Sequence, residues 1–242
     1  MPTTKTLRFY RIAMVLLTAL LIAVCIHERY IQRAYTRLFV PPPPPYRYTD
    51  NTHFREEADF NTIYHSQPRI VMFGNSLVKK MNWDELLERE DVVNRGVNVD
   101  LTDGMLARID GVIALQPAII FIEGGINDID RGTANAQIIS NYRGMLQRVN
   151  AAGIIPVLHA VNAVCDFYPA STSINDSIRV LNNGLHGLAA ETGSPMIDLN
   201  PQLAPQGVLR REYARGDGCH LTSKAYLVWK AEVQRILAER GI

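Results

Sequence analysis

The chain has 242 residues, 47% of them hydrophobic and 20% charged, which suits one globular domain plus an appendage. A net charge of +1, with no basic stripe interleaved with aromatics, excludes a nucleic-acid-binding protein. Three scattered cysteines exclude a zinc site or a disulfide scaffold, and the sequence has neither a Walker-type glycine loop nor a His-Glu-x-x-His run.

Lys5, Arg8 and Arg11 precede an uncharged apolar run over residues 12–26, a signal-sequence pattern. The run is short against the ~20 residues of a comfortable span, but Leu7, Phe9 and Tyr10 extend it if Arg8 and Arg11 snorkel to the interface. Val24-Cys25-Ile26-His27 offers no small-x-small cleavage site, and Val24 is too bulky before Cys25 for a lipoprotein acceptor. Residues 1–28 are therefore expected to be an uncleaved, single-pass signal anchor; a buried core helix is the alternative. The flanking charges nearly tie, with Arg29, Arg33 and Arg37 on the far side. An outward, extracytoplasmic domain is expected because first-helix anchors with a large downstream domain usually export it. Residues 29–45 form a juxtamembrane segment: a basic amphipathic stretch, then Pro41 to Pro45, a polyproline spacer of ~3.1 Å per residue. The domain itself runs over residues 46–242.

Strands and helices alternate within it. An apolar run at 70–73 predicts a buried strand, followed by a helix at 83–89 and a second strand at 91–94. Met105, Leu106, Ile109, Val112 and Ile113 share one face of a helix over 102–115, which Pro117 ends. Residues 118–122 form a third strand, and 135–152 a helix closed by Gly153. Residues 154–161 form a fourth strand, with Pro156 suiting an outer position. A helix over 175–192, a fifth strand at 195–198 and a last helix from the Thr222 cap to about 240 complete the pattern. This alternation predicts an α/β fold whose parallel sheet is covered on both faces.

The residues just past the strand ends share one edge of such a sheet. They are Gly74-Asn75-Ser76, Gly96 with Asn98, Gly124 to Asp128, and residues 162–165; Asp217-Gly218-Cys219-His220 precedes the last helix. A nucleophilic hydroxyl needs a base, and the base an orienting acceptor. Ser76, His220 and Asp217 fit those roles; alone, Ser76 reads first as a helix cap. Ser76 N–H, Gly96 N–H and the Asn127 amide are candidate donors to an oxyanion.

These blocks resemble the SGNH hydrolases, or GDSL esterase/lipase family: Gly74-Asn75-Ser76-Leu77, Asn94-Arg95-Gly96-Val97-Asn98, Gly125-Ile126-Asn127-Asp128 and Asp217-Gly218-Cys219-His220. The likeness runs from about residue 69 to 240. It implies a three-layer, flavodoxin-like α/β/α sandwich with a five-stranded parallel sheet. It implies Ser76, Asp217 and His220 as the catalytic triad, Ser76, Gly96 and Asn127 as the oxyanion hole, and no metal or organic cofactor. Asn75 replaces the family's Asp, at a position that carries no proton. The usual second glycine of the second block is replaced by Asn98-Val99.

The activity implied is hydrolysis of small acyl esters, acetyl on envelope glycans being the substrate suggested by location and family habit. An acyltransferase using the same triad and a non-catalytic binding module are the alternatives. Glu123 is expected to pair with Arg95 or a backbone donor, or to line the pocket. His159 and Trp229 are expected in the core, His186 on the surface, and Asp128 as a brace for its loop; His65 has no partnering motif. Cys165 and Cys219, both on loops at the site edge, are candidates for a disulfide, two free thiols being the alternative.

Overall fold

In the computed structural model, residues 4–39, 46–61, 63 and 66–242 are described; the polyproline run and His65 lie outside them. The chain divides into two compact units, Met1–Pro45 and Tyr46–Ile242. In the first, α1 (Thr4–Phe39) is one continuous helix through the apolar run and residues 29–39. Its stretch Tyr10–Ile31 has 22 residues, mean hydropathy 2.1, and no residue buried. At 1.5 Å per residue that is about 33 Å, enough to cross a ~30 Å hydrocarbon layer.

The second unit opens with a 3-10 turn (Tyr48–Asp50) and α2 (Thr52–Asn61). The elements then run β1 (Ile70–Gly74), α3 (Ser76–Lys79), α4 (Trp83–Leu87), β2 (Val92–Gly96), α5 (Thr102–Ile113), β3 (Ile119–Glu123), α6 (Ile126–Asp130) and α7 (Asn135–Ala151). β4 (Ile155–His159), α8 (Ser171–Thr192), β5 (Met196–Ile197), α9 (Asn200–Leu203) and α10 (Ser223–Arg240) complete it. The five strands make one parallel sheet in the order β2-β1-β3-β4-β5.

Alternation along each strand sorts the core into two layers. Ile70, Met72, Ile119, Phe121 and Val157 pack beneath α3, α4 and α10, with Trp83 and Trp229. Val71, Phe73, Ile120, Ile122 and Leu158 face α5, α7 and α8. The strands read as unbroken apolar runs because both faces are covered, and each such buried side chain contributes roughly 1.5–3 kcal/mol.

β4 is not an outer strand, contrary to the expectation from Pro156. It lies between β3 and β5, but β5 pairs only with its end, Leu158 and His159. Ile155 N–H points toward β3, to Ala118 O, and Leu158 N–H toward β5, to Pro195 O. Position 156 therefore faces the β5 side before β5 begins, where no ladder partner waits for the donor that proline lacks.

α8 begins four residues before the predicted start. Asn175 instead grips the loop after β4, accepting from Val164 N–H (2.8 Å) and donating to Val164 O (3.0 Å). Asn182 does the same at Val161 (2.8 and 2.9 Å), and Asn200 accepts from Ala163 N–H (2.8 Å). These amides hold the extended segment 161–164 at the carboxyl edge of the sheet. Thr222 sits at the N-cap position of α10, but its hydroxyl donates to Glu212 O (2.9 Å) rather than capping the helix.

Candidate active site

β1 runs so close to β3 that a Cβ at Gly74 would lie 2.2 Å from Glu123 O; only glycine fits there. The chain then turns at Asn75, which is fully buried and accepts from Leu77 N–H (2.8 Å), capping α3. Ser76 thus becomes the first residue of α3, at the carboxyl edge. Tyr226 Oη donates to Leu77 O (2.7 Å) and Trp83 Nε1 to Val78 O (2.9 Å), fixing the short helix to the layer that carries α10.

Ser76 Oγ lies 3.0 Å from His220 Nε2, across 144 residues of chain. His220 Nδ1 lies 2.8 Å from Asp217 Oδ2. Asp217 Oδ1 accepts from Cys219 N–H (2.9 Å) and His220 N–H (2.8 Å), so the carboxylate is oriented by its own loop. Burial works to raise the Asp217 carboxyl, but those two N–H groups and the imidazole outweigh it and hold it below the usual range. With Nδ1–H donated to Asp217, His220 Nε2 is left as an acceptor facing the serine hydroxyl. The loop is tied to the β4 loop by Cys165 N–H donating to Gly218 O (2.8 Å). Cys165 and Cys219 themselves are free thiols, so this main-chain bond makes the link expected of a disulfide.

Of the expected oxyanion donors, Gly96 does not fit the role. Its N–H donates to Asn94 Oδ1 (2.8 Å), and a Cβ there would lie 2.2 Å from Lys79 N. The glycine is needed for close packing of β2 against α3, and its donor is spent. Ser76 N–H has no acceptor among the described residues. Asn127, in the first turn of α6, gives one Nδ2 hydrogen to Asp100 O (2.9 Å), leaving the other.

A further donor stands in the same region. Residues 97–100 form a turn closed by Asp100 N–H to Val97 O (3.3 Å), with Val99 at φ +59°. That left-handed conformation suits the third position of a type II turn and costs a β-branched residue about 1–3 kcal/mol. Val99 N–H has no acceptor among the described residues. Replacement of the family's second glycine by Asn98-Val99 was the sequence signal for it.

The turn rests on a buried ion pair that no motif in the sequence announces. Arg108 Nε donates to Asp100 Oδ2 (2.8 Å), Nη1 to Arg95 O (2.8 Å) and Nη2 to Gly74 O (2.9 Å), with the guanidinium 4.2 Å over the Phe73 ring. Burial pushes Asp100 up to about 6 even beside its cation. Asp128 braces its loop as expected: Thr102 Oγ1 donates to Oδ1 (2.6 Å), and Thr102 N–H reaches both oxygens. Burial pushes that carboxyl up to about 7. Glu123 is held by Asn75, through its side chain and, as expected, through a backbone donor. Asn75 Nδ2 donates to its Oε1 (3.4 Å), Oε2 has no partner among the described residues, and burial pushes the acid up to about 8.

His159 is a core residue, its Nδ1 2.7 Å from Ala160 O and its ring against Trp229; burial lowers it to about 4. Trp229 is buried edge-on to Trp83, and His186 lies exposed on α8 beside Asp198 (3.1 Å). A separate cleft of about 620 Å³ is lined by Asn175, Asn182, His186 and Asp198 and by none of Ser76, Asp217 or His220. No group of three or more metal-ligating side chains stands together among the described residues.

Esterase TesA of Pseudomonas aeruginosa is 35% identical over 79 residues, 32% of this chain and 39% of that protein, so the match spans well under half of the relative. The crystal structure of a GDSL-like lipase from Bacteroides thetaiotaomicron VPI-5482 superposes with a TM-score of 0.66 at 22% identity, covering 77% of this chain and 98% of that one. An acetyl xylan esterase, AlAXEase, superposes at 0.58 and 16% identity, covering 69% and 98%. At these identities the structures show a shared fold. Residues 73–228 match the description of the GDSL-like lipase/acylhydrolase family, and the chain belongs to that family.

Proposed function

We propose that the protein is a serine ester hydrolase in which Ser76 is the nucleophile, His220 the general base and acid, and Asp217 the group that steers the imidazole. The observation that carries this is the pair of contacts Ser76 Oγ to His220 Nε2 (3.0 Å) and His220 Nδ1 to Asp217 Oδ2 (2.8 Å). Ser76 Oγ attacks the ester carbonyl carbon as its proton passes to His220 Nε2. The oxyanion is received by Ser76 N–H, the free Asn127 hydrogen and Val99 N–H, which takes the place expected for Gly96. The intermediate collapses to an acyl-serine, and the departing alkoxide takes the proton back from His220. Water then attacks with His220 as base, and the acid leaves.

The substrate proposed is a short acyl ester, acetyl on carbohydrate, in keeping with the fold likeness to an acetyl xylan esterase. The apolar stretch Tyr10–Ile31 supports a membrane anchor, with residues 46–242 as the catalytic domain on the extracytoplasmic side. In the full-length chain, Ser76→Ala should abolish hydrolysis of p-nitrophenyl acetate and leave the melting transition in place. Undiminished turnover would remove Ser76 from the mechanism. Acetylated and longer-chain esters tested side by side check the acyl preference, and a preference for long chains would contradict the acetyl assignment.

A further inference from the structure

The segment before the sheet reaches the site through one buried side chain. Asn51, only 4% exposed, comes directly after the 3-10 turn Tyr48–Asp50. Its Oδ1 accepts from His53 N–H (3.1 Å) at the start of α2, and its Nδ2 donates to Asn98 O (2.9 Å). Asn98 O and Val99 N–H belong to one planar trans peptide, and in such a unit they point in opposite directions. Whatever holds the carbonyl therefore aims the N–H.

Two more contacts clamp the same segment onto neighbours of the donor-bearing loops. Glu57 on α2 pairs with Lys79 on α3, and the Tyr46 ring lies 3.8 Å from the Arg131 guanidinium just after α6. The left-handed Val99 needs such support, since a strained β-branched residue persists only where its surroundings over-determine it.

We infer that Asn51 is a positioning residue: from outside the sheet it sets the orientation of the Asn98–Val99 peptide, whose N–H receives the oxyanion. This rests on the serine-hydrolase reading above. Asn51 touches no substrate, so its effect falls on kcat and not on KM, because the donor is used in the transition state.

The test separates the two functions of the side chain in the full-length protein. Asn51→Asp and Asn51→Ser both keep an oxygen to cap α2; the Asp carboxylate has no donor for Asn98 O, and the Ser hydroxyl, one bond shorter, falls short of it. Each is expected to lower kcat for p-nitrophenyl acetate by about 10- to 100-fold, below the ~100- to 1,000-fold loss of a whole oxyanion donor. KM should stay within about twofold of the parent. Losing the buried hydrogen bond to Asn98 O, at about 1–3 kcal/mol, should lower Tm by about 2–12 °C, so kcat is taken per folded enzyme. Labelling by a fluorophosphonate should still reach one Ser76 per chain. The inference is overturned if kcat is unchanged in both variants, if KM alone rises, or if turnover falls only in proportion to lost folded protein. Failure of the underlying reading looks different: Ser76→Ala would then retain turnover.

Discussion

Replacing Asp217 by Asn changes one atom where the proposed mechanism is most sensitive. Oδ1 survives the change, so the bonds from Cys219 N–H and His220 N–H persist and the loop keeps its shape. What changes is Oδ2, 2.8 Å from His220 Nδ1, which becomes an amide nitrogen. That nitrogen donates, so it selects the tautomer with its hydrogen on Nε2. The imidazole then presents N–H to Ser76 Oγ and cannot take its proton. In the serine-protease case the same change costs about 10⁴-fold in kcat. Here the Asp217 side chain is 51% exposed, and water can restore part of the lost acceptor. The expected loss is therefore smaller, about 10²- to 10³-fold, or ~2.7–4 kcal/mol of transition-state stabilisation at ~1.36 kcal/mol per decade. Steady-state turnover of p-nitrophenyl acetate, with the melting curve measured alongside, reads it directly. An Asp217→Asn enzyme within about threefold of the parent kcat would refute the tautomer argument.

Buried charge gives two more tests. Glu123 in the folded state holds its proton up to about pH 8, against an ordinary value of 4.5. The native state thus binds the extra proton, and this group subtracts stability progressively as pH rises from about 4.5 to 8. Glu123→Gln removes that penalty, so its Tm relative to the parent should climb between pH 5 and pH 8; a flat difference would contradict the assignment. Arg108→Leu leaves Asp100 buried without its cation and should cost about 3–5 kcal/mol. At roughly 2–4 °C per kcal/mol the Tm should fall by about 6–20 °C, and a fall under about 2 °C would mean that the pair holds nothing.

The sheet was legible because a parallel sheet covered on both faces leaves unbroken apolar runs such as Ile70–Phe73 and Ile119–Ile122. The Ser76, Asp217 and His220 grouping was legible because strand ends and the loop before the last helix converge on one edge whatever the packing details. The misses have a common physical cause, since each depends on where one hydrogen bond goes. Gly96 has the right residue type and position, yet its N–H is taken by a side chain two residues earlier. Val99 is the last kind of residue expected at positive φ, and only its standing where the family has a second glycine marks the place. Arg108 reads as the solvated side of an amphipathic helix, whereas its guanidinium bonds inward to Asp100 and two carbonyls. α2, Thr-His-Phe-Arg-Glu-Glu-Ala-Asp-Phe-Asn, lacks an apolar period and is held by the Glu57 contact with Lys79 on α3 and, just before it, by Asn51 on the 97–100 turn.

The most direct measurement of the central claim is mass mapping of the full-length chain after reaction with a fluorophosphonate. A single adduct on Ser76, formed many times more slowly in His220→Ala, is the predicted result. An adduct on another residue, or Ser76 labelling at an unchanged rate without His220, would contradict it.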